Sequence, residues 1–159
     1  MQVTKTMSTK ANQKKYLSYK EAFARINTAI AQRFFLEAIT IEESIICDRM
    51  ISYLHYKYAV IFSEKDMTSN KTTMGSLIIL WGKEEPVCMP CKDYHNLRGD
   101  IDEWRKQRNT ILHTMTKSFP GKPTKNVKDF MQDAQQAAKT GKKLARALCE
   151  LARQGKVKE

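Results

Sequence analysis

The amino-acid sequence predicts an all-α protein, a single-domain up-and-down bundle of about five helices. Six glycines and four prolines in 159 residues are few, which favours long helices over a β-sandwich. Residues 29–58 contain neither glycine nor proline, and their apolar side chains recur at three- and four-residue steps, as on one face of a helix. A chain of this length is enough for one domain with a buried core.

The two ends of the chain are predicted to lie outside the bundle. Residues 1–16 show no apolar periodicity, so we predict a disordered, basic N-terminus there. The helical bundle is expected over residues 17–154, followed by a charged tail over residues 155–159. Ser18, with Glu21 three residues later, fits a capping box at the start of the first helix.

Two further helices are predicted in the first half of the chain. The second helix would run from about residue 29 to residue 58, a length of roughly 45 Å at 1.5 Å per residue, and would form the backbone of the bundle. Residues 74–80 form a short apolar run that contains one glycine. We predict a short helix there, because an isolated strand would have no second segment to pair with.

The second half of the chain predicts two more helices. A fourth helix is expected over residues 97–117, with Asp93 or Asn96 as its cap. A proline- and glycine-containing break follows it. Thr124 or Asn126 then caps a fifth helix, which a glycine could interrupt near its middle.

The net charge of +11 is concentrated at the two ends of the sequence. Residues 1–20 carry five lysines and no acidic side chain, and residues 117–159 carry eleven basic and four acidic side chains. The middle of the chain is nearly neutral. Basic ends suit a polyanionic partner such as RNA, and a solvated, solubilising surface is the alternative.

Three polar residues of the fourth helix form a group suited to phosphate chemistry. Asn109 and His113 are one turn apart and share a face, while Arg108 lies about 140° from His113 at 100° per residue. Arginine is a permanent cation whose planar fork fits phosphate oxygens, and histidine exchanges a proton near neutral pH. The amide of Asn109 can orient either neighbour.

The order Arg108-Asn109-x-x-x-His113 on a late helix resembles the Arg-x(4–6)-His motif of the HEPN superfamily. Residues 35–49 resemble the E-A-I-x-L-E-x-S-I-I-x-D-R pattern on the long second helix of some bacterial HEPN-like proteins. The resemblance covers roughly residues 20–118. HEPN proteins are small and all-α, and many are metal-independent RNA endonucleases of toxin and phage-defence systems.

The resemblance implies a metal-independent endoribonuclease that cleaves RNA by 2′-hydroxyl attack at the interface of a homodimer. Arg108, Asn109 and His113 would be the catalytic residues, with no cofactor and no metal. It also places acidic residues on the facing helix, and we expect Glu42 or Asp48 to hold or orient the catalytic group. Further RNA contacts are expected from basic residues of the fourth and fifth helices: Arg105, Lys106, Lys142, Lys143 and Arg146.

A non-catalytic HEPN-like module that binds nucleic acid or a partner protein is the alternative function. The presence of both Arg108 and His113 argues against it. Met115 stands where some HEPN toxins carry a tyrosine that a nucleotidyltransferase partner modifies, so that form of control is not expected here. An antitoxin or another regulatory protein remains a possible partner.

One short pattern in the sequence is typical of metal binding. Cys88 and Cys91 form a Cys-x2-Cys knuckle, and His95 follows. A closed zinc site needs four ligands, and only three are close in sequence, so we favour a loop that leads into a helix. A zinc-dependent regulator is the corresponding alternative function.

The expected location is the cytoplasm. The first twenty residues have no apolar centre of the kind that a secretory signal requires. No apolar run approaches the roughly 18 to 20 residues that span a bilayer, so no membrane association is expected. The four cysteines are therefore expected to be reduced thiols.

Overall fold

The computed structural model describes residues 2–115, 117–118 and 120–155, with side chains from residue 11 onward. The described chain forms no β-strand, only an isolated bridge between Cys91 and Tyr94, so the all-α prediction is confirmed. None of the described helices is both long and apolar enough to cross a membrane. The helices are α1 (Gln2–Ala31), α2 (Phe35–Tyr58), α3 (Glu64–Met67), α4 (Met74–Glu84), α5 (Leu97–Thr114) and α6 (Val127–Gln154), with a 3-10 turn at Asn70–Thr72.

Helices α2 and α6 lie side by side at the centre of the bundle. Gly141 faces Glu42 and Gly155 faces Tyr53, so residue numbers rise together and the two helices run in the same direction. Small side chains allow the two backbones to come close. The buried small residues of α6 are Ala134, Ala137, Ala138, Gly141, Ala145, Ala147 and Ala152.

The other helices pack around this pair. Successive long helices alternate in direction along the chain, except that α4 runs in the same direction as α2. Gly75 faces Arg105 and Gly82 faces Arg98, so α4 and α5 are antiparallel. Helix α4 follows the same general direction as α2, because its first residue shares a cavity with Cys47 and the residue after its end pairs with Lys57. Residues 59–73, which include α3, provide the return connection that this arrangement requires.

The N-terminal part of the structure differs from the sequence prediction. Helix α1 is already formed at Gln2, where we predicted disorder over residues 1–16, and Ser18 lies within the helix rather than capping it. The Ser18 hydroxyl donates to the Lys14 carbonyl at 3.0 Å. No glycine or proline stops a helix in this region, which explains its length.

The long second helix is shorter than predicted, because the chain turns between α1 and α2. Arg33 has a φ of 65°, in the left-handed region, and separates Ala31 from Phe35. A non-glycine residue rarely adopts this conformation, so the sequence shows no signal for the turn. The predicted charged tail at 155–159 falls outside the described residues after Gly155.

The predicted caps and the short helix are confirmed. The side chain of Asn96 accepts from the Gly99 amide at 3.0 Å at the start of α5, and that of Asn126 accepts from the Lys128 amide at 2.8 Å at the start of α6. The apolar run at residues 74–80 forms α4. Each cap satisfies a backbone amide that the first turn of a helix leaves unpaired.

Candidate functional site

Arg108 on α5 is held against α2 by an ion pair with Glu43. Its Nη2 donates to Glu43 Oε1 at 2.6 Å, and its side chain is only 14% exposed. The Nε atom is buried and has no hydrogen-bond partner among the described residues. A guanidinium has five N–H donors, so the contact with Glu43 fixes the group and leaves donors for a further anion.

The acidic partner of Arg108 is a correction to the sequence prediction. We expected Glu42 or Asp48, and the structure places Glu43 there instead. Successive side chains on a helix point about 100° apart, so when Glu43 faces α5, Glu42 turns into the contact with α6. Asp48 is engaged by three side chains of α1 and α2: Lys15, Tyr19 and Arg49.

His113 lies in the last turn of α5 and is exposed to solvent. Asn109, one turn earlier, is partly exposed. Neither side chain forms a hydrogen bond with the part of the chain that the structure describes, so His113 is not oriented by Asn109 within one copy. The imidazole is free to meet a substrate or a second copy of the chain.

Exposed apolar side chains lie near His113 in the sequence. Leu112 is 42% exposed and Met115 is 51% exposed. Met115 also lines a cavity of about 360 Å³. Phe34, the residue before α2, lines the same cavity and is 57% exposed. We call Phe34, Leu112 and Met115 the apolar patch. Clustered exposed apolar residues of this kind often mark contacts between proteins.

The predicted RNA-binding residues fall into two groups. Arg105 and Lys106 on α5 already pair with acidic neighbours, Asp102 at 2.9 Å and Glu103 at 2.7 Å respectively. Surface pairs of this kind are weak, so they do not prevent contact with a phosphate. The residues of α6 make no ion pair with a described carboxylate: Lys142, Lys143 and Arg146.

No family model, no curated protein and no solved structure matches the chain. The assignment of chemistry to this site therefore depends on the residues themselves and on the motif resemblance.

The proposed zinc ligands do not converge in the structure. Cys91 is buried, with its thiol directed at the Ala147 carbonyl at 3.8 Å, while His95 is exposed. Across residues 2–115, 117–118 and 120–155, no three His, Cys, Asp or Glu side chains are grouped as metal ligands would be. The loop between α4 and α5 is thus built from packing contacts and an isolated bridge.

Glu42 is a buried acid whose environment the sequence did not reveal. Its side chain is fully buried, and neither carboxylate oxygen has a hydrogen-bond partner among the described residues. It fills the space above Gly141 beside the Trp104 ring. Burial raises the pKa of Glu42 to about 9, opposed in part by the nearby charge of Lys142. The carboxyl group is therefore protonated at neutral pH.

Glu85, at the end of α4, shows how a buried acid behaves when it is paired. Its carboxylate accepts from Trp81 Nε1 at 2.5 Å, from Lys57 Nζ at 3.0 Å and from the Tyr53 hydroxyl at 3.2 Å. Burial acts to raise the pKa of Glu85, but hydrogen bonds from Trp81, Lys57 and Tyr58 outweigh it and the pKa is lowered. This charged group stabilises the contact between α2 and α4.

Glu42 predicts a specific dependence of stability on pH. Below its ordinary pKa of 4.5 the carboxyl group is protonated in both the folded and the unfolded chain. Between pH 4.5 and about 9 the unfolded chain loses this proton while the folded chain keeps it, so the free energy of unfolding falls as pH rises. Glu42→Gln cannot titrate and should lose less stability over the same range.

Urea denaturation of the parent and Glu42→Gln proteins at about pH 5 and about pH 8 measures this difference. Between about pH 5 and about pH 8, the free energy of unfolding should fall less in Glu42→Gln than in the parent. Equal losses in the two proteins would mean that Glu42 does not titrate in this window.

Proposed function

We propose that the protein is a metal-independent endoribonuclease whose active site lies at the interface of a homodimer. The observation that supports this most is the contrast along α5. Arg108 is fixed from α2 by Glu43, while His113 in the last turn is exposed and has no described partner. A fixed cation and a free acid–base group on the same helix are two groups that phosphate chemistry requires.

In the proposed reaction, His113 of one protomer removes the proton of a ribose 2′-hydroxyl. The 2′-oxygen then attacks the adjacent phosphorus, and the bond from phosphorus to the 5′-oxygen breaks. The leaving 5′-oxygen takes a proton from the imidazolium of His113 of the partner subunit. The products are a 2′,3′-cyclic phosphate and a 5′-hydroxyl, and a proton exchanged through solvent restores both histidines.

Arg108 would stabilise the charge that develops on the phosphoryl oxygens. Its free N–H donors can reach an oxygen while Glu43 holds the rest of the group in place, so little reorganisation is needed during the reaction. Asn109 lies between Arg108 and His113 in the sequence. It would orient the His113 imidazole once a second copy of the chain or the substrate restricts the motion of that ring. Glu43 is thus a positioning residue, a role that the sequence analysis gave to Glu42 or Asp48.

A homodimer follows from the need for both an acid and a base. One protomer supplies a single histidine at this site, and a two-fold axis near His113 supplies a second in the same cleft. The apolar patch includes Leu112, the residue before His113, and gives such a dimer a surface to bury. The activity fits a cytoplasmic toxin or phage-defence system controlled by an antitoxin or another regulatory protein.

Breaking the dimer should stop cleavage. Leu112→Glu places a charge in the apolar patch and should shift the protein from dimer to monomer, with loss of RNA cleavage. Ile79→Glu is the matched control, because Ile79 is 63% exposed on α4, away from α5's last turn. Sedimentation velocity and cleavage assays measure both effects. A monomeric Leu112→Glu protein that cleaves as fast as the parent would contradict the shared site.

The function itself is tested by incubating the purified protein with a mixed RNA in EDTA. We expect fragments to accumulate, because no step of the proposed reaction uses a metal ion. The alternative is a helical module that binds RNA without cutting it. RNA that is bound with equal affinity by the parent and His113→Ala proteins, and that stays intact with both, would establish this alternative.

A further inference from the structure

A second candidate site lies between α1 and α6. It is a groove of about 660 Å³, with α2 as its floor. This volume is within the range of roughly 300 to 1,000 Å³ that ligand sites occupy. We call it the α1–α6 groove, and the side chains that matter for its chemistry are Lys15, Tyr16, Lys20, Arg49, Arg146 and Arg153.

The groove is strongly basic. Five of its described lining residues are lysine or arginine, and Glu150, the one acidic residue among them, is paired with Lys92 outside the groove. Lys20, Arg146 and Arg153 make no ion pair with any carboxylate that the structure describes. Burial raises the pKa of the lining thiol Cys149 to about 11, so it adds no negative charge at neutral pH. An anion is therefore the complementary ligand.

The floor of the groove carries a guanidinium that is held rigidly in place. Arg49 is only 9% exposed and donates to Asp48 Oδ2 from Nε at 3.0 Å and from Nη2 at 2.6 Å. The same guanidinium lies over the Tyr19 ring, 4.6 Å from its centroid. A cation fixed on two sides loses little conformational entropy when it meets a phosphate.

Aromatic rings lie among these cations. Tyr16 is 66% exposed at the rim of the groove, a high value for a tyrosine that no described contact explains. Phe23 lies under the guanidinium of Arg146, 5.6 Å from its ring centroid. Basic side chains interleaved with an exposed ring match a ligand made of phosphates and flat bases.

We propose that the α1–α6 groove binds a single strand of RNA, with its phosphates on Arg146, Arg153 and Lys20 and a base stacked on Tyr16. A duplex fits less well, because its bases stack on one another and cannot reach an exposed ring. Glu43, which pairs with Arg108, and Asp48, which pairs with Lys15 and Arg49 of the groove, line one cavity on α2. The groove would thus hold the substrate strand beyond the cleaved bond.

This inference rests on the proposed function for its choice of RNA, and the experiment separates the two. The probe is a fluorescent single-stranded 2′-O-methyl RNA of about ten nucleotides, within the roughly 4 to 16 nucleotides that OB-folds bind. It has no free 2′-hydroxyl, so it cannot be cleaved by the proposed reaction. Binding is followed by fluorescence anisotropy as a function of salt.

Tyr16→Ala should weaken binding of this probe by about ten-fold, the effect of losing one stacked base. Arg146→Gln should weaken it and also make affinity less dependent on salt, because one phosphate contact is lost. Tyr56→Ala and Lys139→Gln are matched controls, since both side chains are exposed and neither lines the groove. Both controls should bind the probe as the parent does.

Four results would overturn the proposal: no binding of the probe, equal affinity for a duplex, unchanged affinity in Tyr16→Ala, or a mononucleotide that binds as tightly as the strand. The last result would identify a free-nucleotide site instead. If RNA is cleaved but Tyr16→Ala binds the probe normally, the groove assignment fails and the nuclease stands. If binding depends on Tyr16 but no RNA is cleaved, the groove stands and the nuclease fails.

Discussion

His113→Ala should slow RNA cleavage in EDTA by about 10²- to 10⁴-fold, the usual contribution of a positioned acid–base group. In a dimer the substitution removes both the base that activates the 2′-hydroxyl and the acid that protonates the leaving oxygen. The effect should appear in the initial rate of cleavage at saturating RNA. Because His113 is exposed and has no described hydrogen bond, the fold should be unaffected.

The matched control is His95→Ala, which removes an exposed histidine from the loop before α5. This variant should cleave RNA at the parent rate. Circular dichroism of both variants should show the helical content of the parent. A His113→Ala protein that cuts as fast as His95→Ala would rule out the proposed role of His113.

Gly141→Ala should destabilise the fold by about 1 to 3 kcal/mol, the usual cost of overpacking a well-filled core. A methyl group at this position would overlap the Glu42 carboxyl and lie 2.6 Å from Cζ2 of Trp104. Alanine is favoured over glycine within a helix by about 1 kcal/mol at most, which works in the opposite direction. Trp104 cannot easily yield, since its Nε1 donates to the Ala137 carbonyl at 2.8 Å.

Gly155→Ala is the control for this prediction. The atom nearest to a methyl group at this position would be the Ala152 carbonyl oxygen at 3.6 Å, an ordinary contact. Chemical denaturation of the three proteins should show loss of stability in Gly141→Ala alone. If Gly141→Ala is as stable as the parent, the close contact of α2, α5 and α6 around Glu42 is wrong.

Periodicity and caps predicted much of the fold, because both are local properties of the chain. The apolar spacing along α5 and α6 and the caps Asn96 and Asn126 could be recognised from neighbouring residues alone. The turn at Arg33 could not, since it uses a left-handed conformation that arginine seldom adopts. The sequence alone leaves open an interruption of α6 at Gly141, but this glycine lies inside the helix and its missing side chain leaves room for Glu42.

The candidate site was harder to predict because it depends on how helices are rotated against one another. The spacing within α5 placed Arg108, Asn109 and His113 on one helix, and the structure agrees with that. Which acid meets Arg108 depends on the rotation of α2, and a shift of one residue exchanges Glu42 for Glu43. The α1–α6 groove joins residues more than a hundred positions apart, a distance over which periodicity carries no information.

The chemistry of the cleaved ends tests the central claim most directly. A single end-labelled RNA would be incubated with the protein in EDTA, and the termini of the fragments would be identified by mass spectrometry. The proposed reaction predicts 2′,3′-cyclic phosphate and 5′-hydroxyl termini, formed without a metal ion. Cleavage that requires a divalent cation and leaves 5′-phosphate and 3′-hydroxyl termini would contradict it.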